Sequence, residues 1–406
     1  VVALEQPELF DRSEVYGEGG LSYGDNGLRF GWFAGAALKV LAQDEASPDV
    51  VFAHDWPAAM APVFLRSHPE VREPLTGTAG VQTIHNLAHQ GIYPLELARG
   101  FGVPEPYLGE GGLGFYGQIN MLKGGILTAT RVLTVSPTYA SEILGPAYGE
   151  GLDQVLMSRG SDLVGILNGI DVDAWDPATD PHLPRRYSLA DPAGKRACKA
   201  ALQRELGFRE REDLPVFGVV SRIDRQKGID MISEVAPRLV ELEAQLILLG
   251  TGVPGLLHSL TGLADIWKQS VAVIERFDEP LAHRIYAGSD FFVMPSRFEP
   301  CGLGQMVALR YGTLPVVRRT GGLADTVQDL DAHPGSGNGF VFEDPVAAAL
   351  QETCERAART FYEDGETLSA ARRRAMAEDP SWEHSAAYYD RLVDEAVAAE
   401  RQRFSR

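Results

Sequence analysis

Cysteine is scarce. Cys198, Cys301 and Cys354 are scattered over 406 positions, odd in number and in no metal-ligand spacing. Such a set excludes a disulfide framework and fits a reducing compartment, so a cytoplasmic location is expected. Basic charge is also short: 37 Lys and Arg stand against 56 Asp and Glu, a net charge of −19. That balance argues against nucleic acid or an anionic membrane as a partner. No apolar run is long enough to cross a bilayer, no signal peptide is expected, and the residues show no internal repeat or low-complexity tract. Asp171, Asp173 and Asp176 lie close together but lack the glycine and distal glutamate of a calcium loop.

At 406 residues the chain is long for one hydrophobic core, and two domains are expected. The opening VVAL reads as a short strand leading into a polar, glycine-rich stretch, 11–27. Apolar residues then recur at helical spacing from Leu28 to Leu41, after an Asn-Gly start. DVVFAHDW, GVQTIHN and RVLTVSP read as three more buried strands. Residues 160–190, rich in Pro and Asp, mark a boundary. Six further strands follow in LPVFGVVSRID, AQLILLGTG, VAVIERF, DFFVMPS, LPVVRRT and GNGFVFE, with helices between them, notably Gly228 to Glu243. Strands alternating with helices predict an α/β fold with parallel sheets covered on both faces. Two Rossmann-like domains facing across a cleft are the economical arrangement, with spans 1–165, 166–380 and a helical tail 381–406. In that tail Trp382, Tyr388, Tyr389, Leu392 and Val397 offer an apolar face.

The chain is organised around 291–327. Phe291 to Met294 is a short apolar run that stops at Pro295; a polar turn carrying Glu299 follows, then helix formers from Gly302 to Arg310. In open α/β sheets ligands bind beyond the carboxyl ends of the strands, where a helix N-terminus presents free N–H groups to an anion. The layout points to a phosphate-bearing ligand over Gly302 and Leu303 with Glu299 beside it, although a helix-capping acid would read the same way. VVSRIDRQKG places Arg222 and Lys227 in another strand-end loop. Two fixed cations there can neutralise a diphosphate, or can simply be solvated. TIHNLAHQG ends a strand with His85 and Asn86, and the histidine could equally make a turn hydrogen bond. Asp55, in AHDWPAAMAP, reads equally as a sugar contact or as the N-cap of a Pro-started helix. The GTG at Gly250–Gly252 ends a strand where the backbone can approach a ligand closely.

SRFEPCGLGQ followed by YGTLPVVRRTGGLADTV closely resembles bacterial glycogen synthases and plant starch synthases. These are retaining glucosyltransferases that move glucose from a nucleotide sugar to the non-reducing end of an α-1,4-glucan. The resemblance covers essentially the whole chain: VVSRIDRQKG matches the pattern S-R-x-x-x-x-K-G, TIHNLAHQG matches HNLAxQG, and LNGID, with Asn168, is similar to the linker signature. It implies the glycosyltransferase-B fold, whose last helix crosses back to the first domain, and ADP-glucose and an α-1,4-glucan as partners, with no metal and no cofactor. It further implies that Arg222 and Lys227 clamp the donor diphosphate, that His85 hydrogen-bonds the donor glucose, and that Phe277 and Gly250 lie near the nucleotide. Asp55, Asn86 and Tyr23 would serve sugar and acceptor. Pro57 replaces the last His of the family's HDWH, His89 stands where Tyr is common, and Val253 follows GTG where an acid or amide is usual.

The resemblance implies ionisation of the glucosyl–phosphate bond and same-face attack by the acceptor, with Glu299 stabilising positive charge rather than forming a covalent intermediate. A glucan phosphorylase carrying pyridoxal phosphate is the enzymatic alternative; a nucleotide- or glucan-binding protein without turnover is the other. The second arises because the family opens with K-x-G-G-L after its first strand, whereas GEGGL at 17–21 has Gly17 where the lysine belongs. A first domain incomplete at its N-terminus, with weak ADP binding and poor turnover, is therefore expected. Cys301, beside the proposed anion site, is expected to have a lowered thiol pKa and to be protected by ADP, unless it is a packing residue.

Overall fold

The structure is a computed structural model and describes residues 3–18, 21–43 and 47–404. The chain forms two compact units: Val1–Ile166 together with Ala386–Arg406, and Leu167–Ser385.

The first unit is built on four parallel strands, β1 (Val50–His54), β2 (Ala79–Ile84), β3 (Arg131–Thr134) and β4 (Leu163–Gly165), paired in that order. Every residue of β2 is buried, as expected of a central strand covered on both faces. Helix α1 (Asn26–Leu41) buries Ala34 and Leu38 in a core shared with Val63, Phe64 and Ile84. A small antiparallel sheet of Ile92–Tyr93, Gln118–Asn120 and Gly114–Phe115 sits in the same unit. The opening VVAL is not a strand in its described residues, Ala3 and Leu4, while Val1 and Val2 lie outside them. The fourth strand is instead Leu163–Gly165, inside the segment expected to be a connection. Three residues are too few for a periodicity to register. Gly19 and Gly20 of GEGGL also lie outside the described residues, and Gly17–Glu18 pairs antiparallel with Leu21–Ser22.

In the second unit all six expected strands form: β5 (Val216–Val220), β6 (Gln245–Leu249), β7 (Val271–Ile274), β8 (Phe291–Met294), β9 (Leu314–Arg318) and β10 (Phe340–Phe342). They pair in parallel in the order β7-β6-β5-β8-β9-β10, so the winding reverses between β5 and β8. Phe217, Val219, Phe291, Val293, Leu314 and Val316 face one core with Val235 and Leu239 of α3 (Ile229–Glu241).

The last helix, here α7, is Trp382–Phe404. Its apolar stripe is shorter than the expected one. Leu392 and Ala396, with Tyr389, pack on Ala79, Val81, Leu133 and Ile166, whereas Trp382 and Tyr388 are exposed. One turn further on, Glu400 is buried and takes hydrogen bonds from the Arg66 guanidinium and from Thr130 Oγ1 (2.6 Å). Among the described residues no helix is long and apolar enough to cross a membrane.

Candidate active site

At the reversal of strand order β5 and β8 run side by side, Phe217 opposite Phe291, so the loops that follow them open at one edge of the sheet. The two loops are locked to each other. Gly228 adopts φ 71°, and a Cβ there would strike the Pro295 carbonyl, so only glycine starts α3 at this spot. The Arg297 N–H donates to the Gln226 carbonyl (2.8 Å), and its guanidinium grips Asp230 with two bonds of 2.7 and 2.9 Å. Asp224 Oδ1 accepts the Lys227 N–H (2.8 Å) and fixes the turn.

This scaffold brings Lys227 Nζ to 2.5 Å from Glu299 Oε2, and Ser296 Oγ donates to the same oxygen at 2.9 Å. Glu299 is 5% exposed, and a cation and a hydroxyl meet its carboxylate there. Arg222 leans outward, 3.3 Å from Asp224, with its side chain 59% exposed. All three line a cavity of about 340 Å³ together with Gly302, Leu303 and Tyr286. Sequence reasoning had Arg222, Lys227 and Glu299 but not Ser296, although a serine directly after a strand-ending proline is a visible cue.

The helix expected from Gly302 is α4, Gly304–Arg310; Gly302 sits at φ 72° and Leu303 occupies the N-cap position, half exposed. A second helix, α5 (Gly321–Thr326), abuts the Glu299 loop: the Gly322 N–H points at the carbonyls of Glu299 and Pro300, each at 3.2 Å. A Cβ on Gly321 would meet the Glu299 carbonyl, and one on Gly322 the Cys301 backbone. The glycine pair therefore serves close packing around Glu299, a role that sequence reasoning left unassigned. Cys301 corrects an expectation: it is buried, and burial pushes its thiol up to about 12 instead of down. Gly250 does approach a backbone closely, but that backbone is the Ser221 carbonyl at the end of β5. Phe277 follows the outermost strand, β7, is 88% exposed, and does not line the cavity.

In the first unit, the ends of β1 and β2 carry the other expected residues. Asp55 takes the left-handed region (φ 55°). It is the first residue of a short helix whose N-cap is His54, so it is not itself the cap. Its Oδ1 accepts the N–H groups of His85 (2.7 Å) and Asn86 (3.4 Å), tying the end of β2 to β1. His85 Nε2 lies 2.9 Å from His54 Nδ1, the rings stacked; burial, and then the neighbouring His85, lower the pKa of His54. His54 was missed, and its adjacency to Asp55 in AHDW is the one available signal. Asn86 Oδ1 accepts the Ala88 N–H (3.1 Å) in a turn. Tyr23 is held between the guanidinium of Arg12, 4.7 Å from its ring centre, and that of Arg29 at 5.3 Å. Asn26 is buried and donates to the Tyr16 carbonyl (2.7 Å). Asp171 accepts N–H groups of Asp173 and Ala174 at 3.0 Å, while Asp176 pairs with Arg310 at 3.2 Å.

Comparison with known proteins bears on the family and the fold. Residues 1–158 match the family described as starch synthase catalytic domain, and residues 214–359 match glycosyl transferases group 1. Glycogen synthase 2 of Geobacter sulfurreducens is 46% identical over 401 residues, covering 99% of this chain and 83% of that protein. Glycogen synthase of Anaeromyxobacter dehalogenans is 46% identical over 394 residues, 97% of this chain and 82% of that protein. Among solved structures, the catalytic domain of starch synthase IV from Arabidopsis thaliana, bound to ADP and acarbose, superposes with a TM-score of 0.87. It is 34% identical over 93% of this chain and 79% of that one. Sucrose-phosphate synthase from Thermosynechococcus elongatus shares the fold at a TM-score of 0.58 and 19% identity, covering 94% of this chain and 82% of that one. Two parallel α/β units with these neighbours are the glycosyltransferase-B fold, and the chain belongs to the glycogen and starch synthase family of glycosyltransferases.

Proposed function

We propose that the chain extends an α-1,4-glucan from ADP-glucose with retention at the anomeric carbon. The observation that carries this reading is the Lys227–Glu299 pair at 2.5 Å, bonded also by Ser296, in the cavity that Arg222 overlooks where β5 and β8 diverge. The donor's diphosphate lies against Arg222, Lys227 and the backbone N–H groups at Gly302 and Leu303. There preorganised donors meet the charge that grows as the glucosyl–phosphate bond breaks. Lys227 is then shared between phosphate and Glu299, and Glu299 faces the positive charge developing on the sugar. Acceptor attack on the face the diphosphate leaves accounts for retention without a covalent glucosyl-enzyme.

His85, positioned by Asp55 and His54, hydrogen-bonds the donor sugar, and Asp55, Asn86 and Tyr23 serve sugar and acceptor from the first unit. Phe277 is exposed, as a ring that stacks on a base must be before binding. Gly250 serves the nucleotide only by shaping the β5–β6 edge. In this reading residues 1–165 form the acceptor side, 166–380 the donor side, and 381–406 the returning helix. ADP in the Arabidopsis starch synthase supports an adenine nucleotide as the donor's leaving group, and acarbose in the same protein supports a glucan-shaped acceptor site.

The test offers radiolabelled ADP-glucose and UDP-glucose separately with a glycogen primer. Incorporation from ADP-glucose, with little from UDP-glucose, is expected. Transfer from UDP-glucose alone overturns the donor assignment, and transfer from neither overturns the reaction.

A further inference from the structure

At the opposite, N-terminal edge of the second unit's sheet lies a larger cavity, about 710 Å³, that the proposed reaction does not use. Its volume is in the range of small-molecule sites. Lys195, Arg196, Lys199, Arg372 and Arg373 line it, against only two carboxylates, Asp290 and Glu212. In a chain carrying a net −19, such a concentration of positive charge is the reverse of the background.

The cations do different work. Lys199 Nζ donates to Asp290 (2.7 Å) and to the carbonyls of Leu214 and Glu212, and Lys195 Nζ to Thr313 Oγ1 (2.7 Å) and the carbonyls of Ala287 and Tyr311. A ligand would meet their charge and not their N–H groups. Arg372 differs: one amino group reaches Asp290 Oδ1 at 2.6 Å, while its Nε has no hydrogen-bond partner. Ser289 Oγ also has no partner, but it is buried against Gly218 of β5 and does not face the cavity. Arg373 is exposed, and among the described residues it enters no ion pair; Arg196 is matched by Glu212 at 3.0 Å on the exposed rim. Burial, and then the charge of Arg372, bring Lys195 down to about 7, so near neutrality it adds only part of a charge to the cavity. The rest of the wall is apolar, from Phe361, Leu368 and Met376.

We propose that this cavity binds a phosphorylated small molecule, its phosphoryl group on Arg372 and Arg373 and its organic body against Phe361 and Met376. A phosphomonoester suits the site better than a single carboxylate because its double charge meets the excess of cations and its oxygens accept forked guanidinium bonds. Asp290 accepts the Val216 N–H (3.0 Å) at the start of β5 and directly precedes β8. The site is thus anchored on the two strands whose far ends carry Arg222, Lys227 and Glu299.

The test is calorimetry with inorganic phosphate and with AMP on the full chain carrying Arg222→Ala and Lys227→Ala, so that the donor cavity is disabled. One equivalent of binding is expected, AMP tighter than phosphate, weakened about tenfold or more by adding Arg373→Glu, the usual scale for a charge-assisted bond turned repulsive. Arg373 is exposed, so this variant keeps the fold, and Arg372→Ala need not be relied on. Amide exchange should slow in α2 (Gly194–Glu205) and α6 (Gly365–Ala377), the helices that wall the cavity. No binding up to about 10 mM ligand, binding matched by sulfate at equal ionic strength, or binding indifferent to Arg373→Glu overturns the proposal.

Discussion

Glu299 and Lys227 pair on the wall of one cavity, and Glu299 is buried, so removing either end has two separable effects. Arg222→Ala and Lys227→Ala should each lower kcat by about 10²–10³, the scale for losing one preorganised charge-stabilising donor. Lys227→Ala should also cost about 3 kcal/mol of stability, because it strands a buried carboxylate; Arg222, largely exposed, should cost almost none. Urea unfolding beside steady-state kinetics separates the two effects, and near-normal turnover in both variants would remove the clamp. Glu299→Gln should abolish turnover with little change in ADP affinity; lost ADP binding with turnover kept at saturating donor would reduce Glu299 to a loop-positioning residue. Cys301 should resist iodoacetamide in the folded protein and react only on unfolding, as peptide mass analysis would reveal. Burial lifts its pKa from about 9 to about 12, so the fold favours the neutral thiol. Its contribution to stability is complete below pH 9 and declines as the pH rises toward 12. Rapid labelling at neutral pH without unfolding would contradict this.

Among the elements, α5 tests the packing argument most directly. Gly322→Ala puts a methyl group against the Cys301 backbone, and the loop carrying Glu299 must move. A loss of roughly 1–3 kcal/mol in stability and a fall in kcat are expected, with KM for the acceptor less affected. Gly335→Ala, where a Cβ meets nothing within 4 Å, is the control and should be neutral. Equal behaviour of the two variants would refute the packing role. The strands of the second unit were legible because central parallel strands are continuous apolar runs bounded by Gly, Pro and Asp, as in FFVMPS. Leu163–Gly165 and the strands of the small antiparallel sheet were not legible, since two or three residues carry no measurable period. Arg222 and Lys227 could be placed in a strand-end loop because they follow such a run, while the clamp role proposed for them came from the resemblance of VVSRIDRQKG to the family pattern. Ser296 and Gly322 could not, because what they do is decided by which loops the strand order brings together.

For the molecule as a whole, Glu400 is the residue that fastens the end of α7 into the first unit, through Arg66 and Thr130. Burial alone would raise the pKa of its carboxyl, but the bonds from Arg66 and Thr130 outweigh that and hold it below the ordinary 4.5. The stabilisation is therefore complete above pH 4.5 and fades as the pH falls through the lowered value. Glu400→Gln should cost about 3 kcal/mol near neutrality, and the gap to the wild type should close in acid. A gap that persists at low pH would assign the effect to packing. Because Ala386–Arg406 belong with Val1–Ile166, the first unit is discontinuous in sequence while the second is one unbroken run. On a ribosome the second unit can close as soon as Ser385 clears the exit tunnel. The first, though its opening residues are translated earlier, must wait for Ala386–Arg406 to be made before Glu400 can reach Arg66.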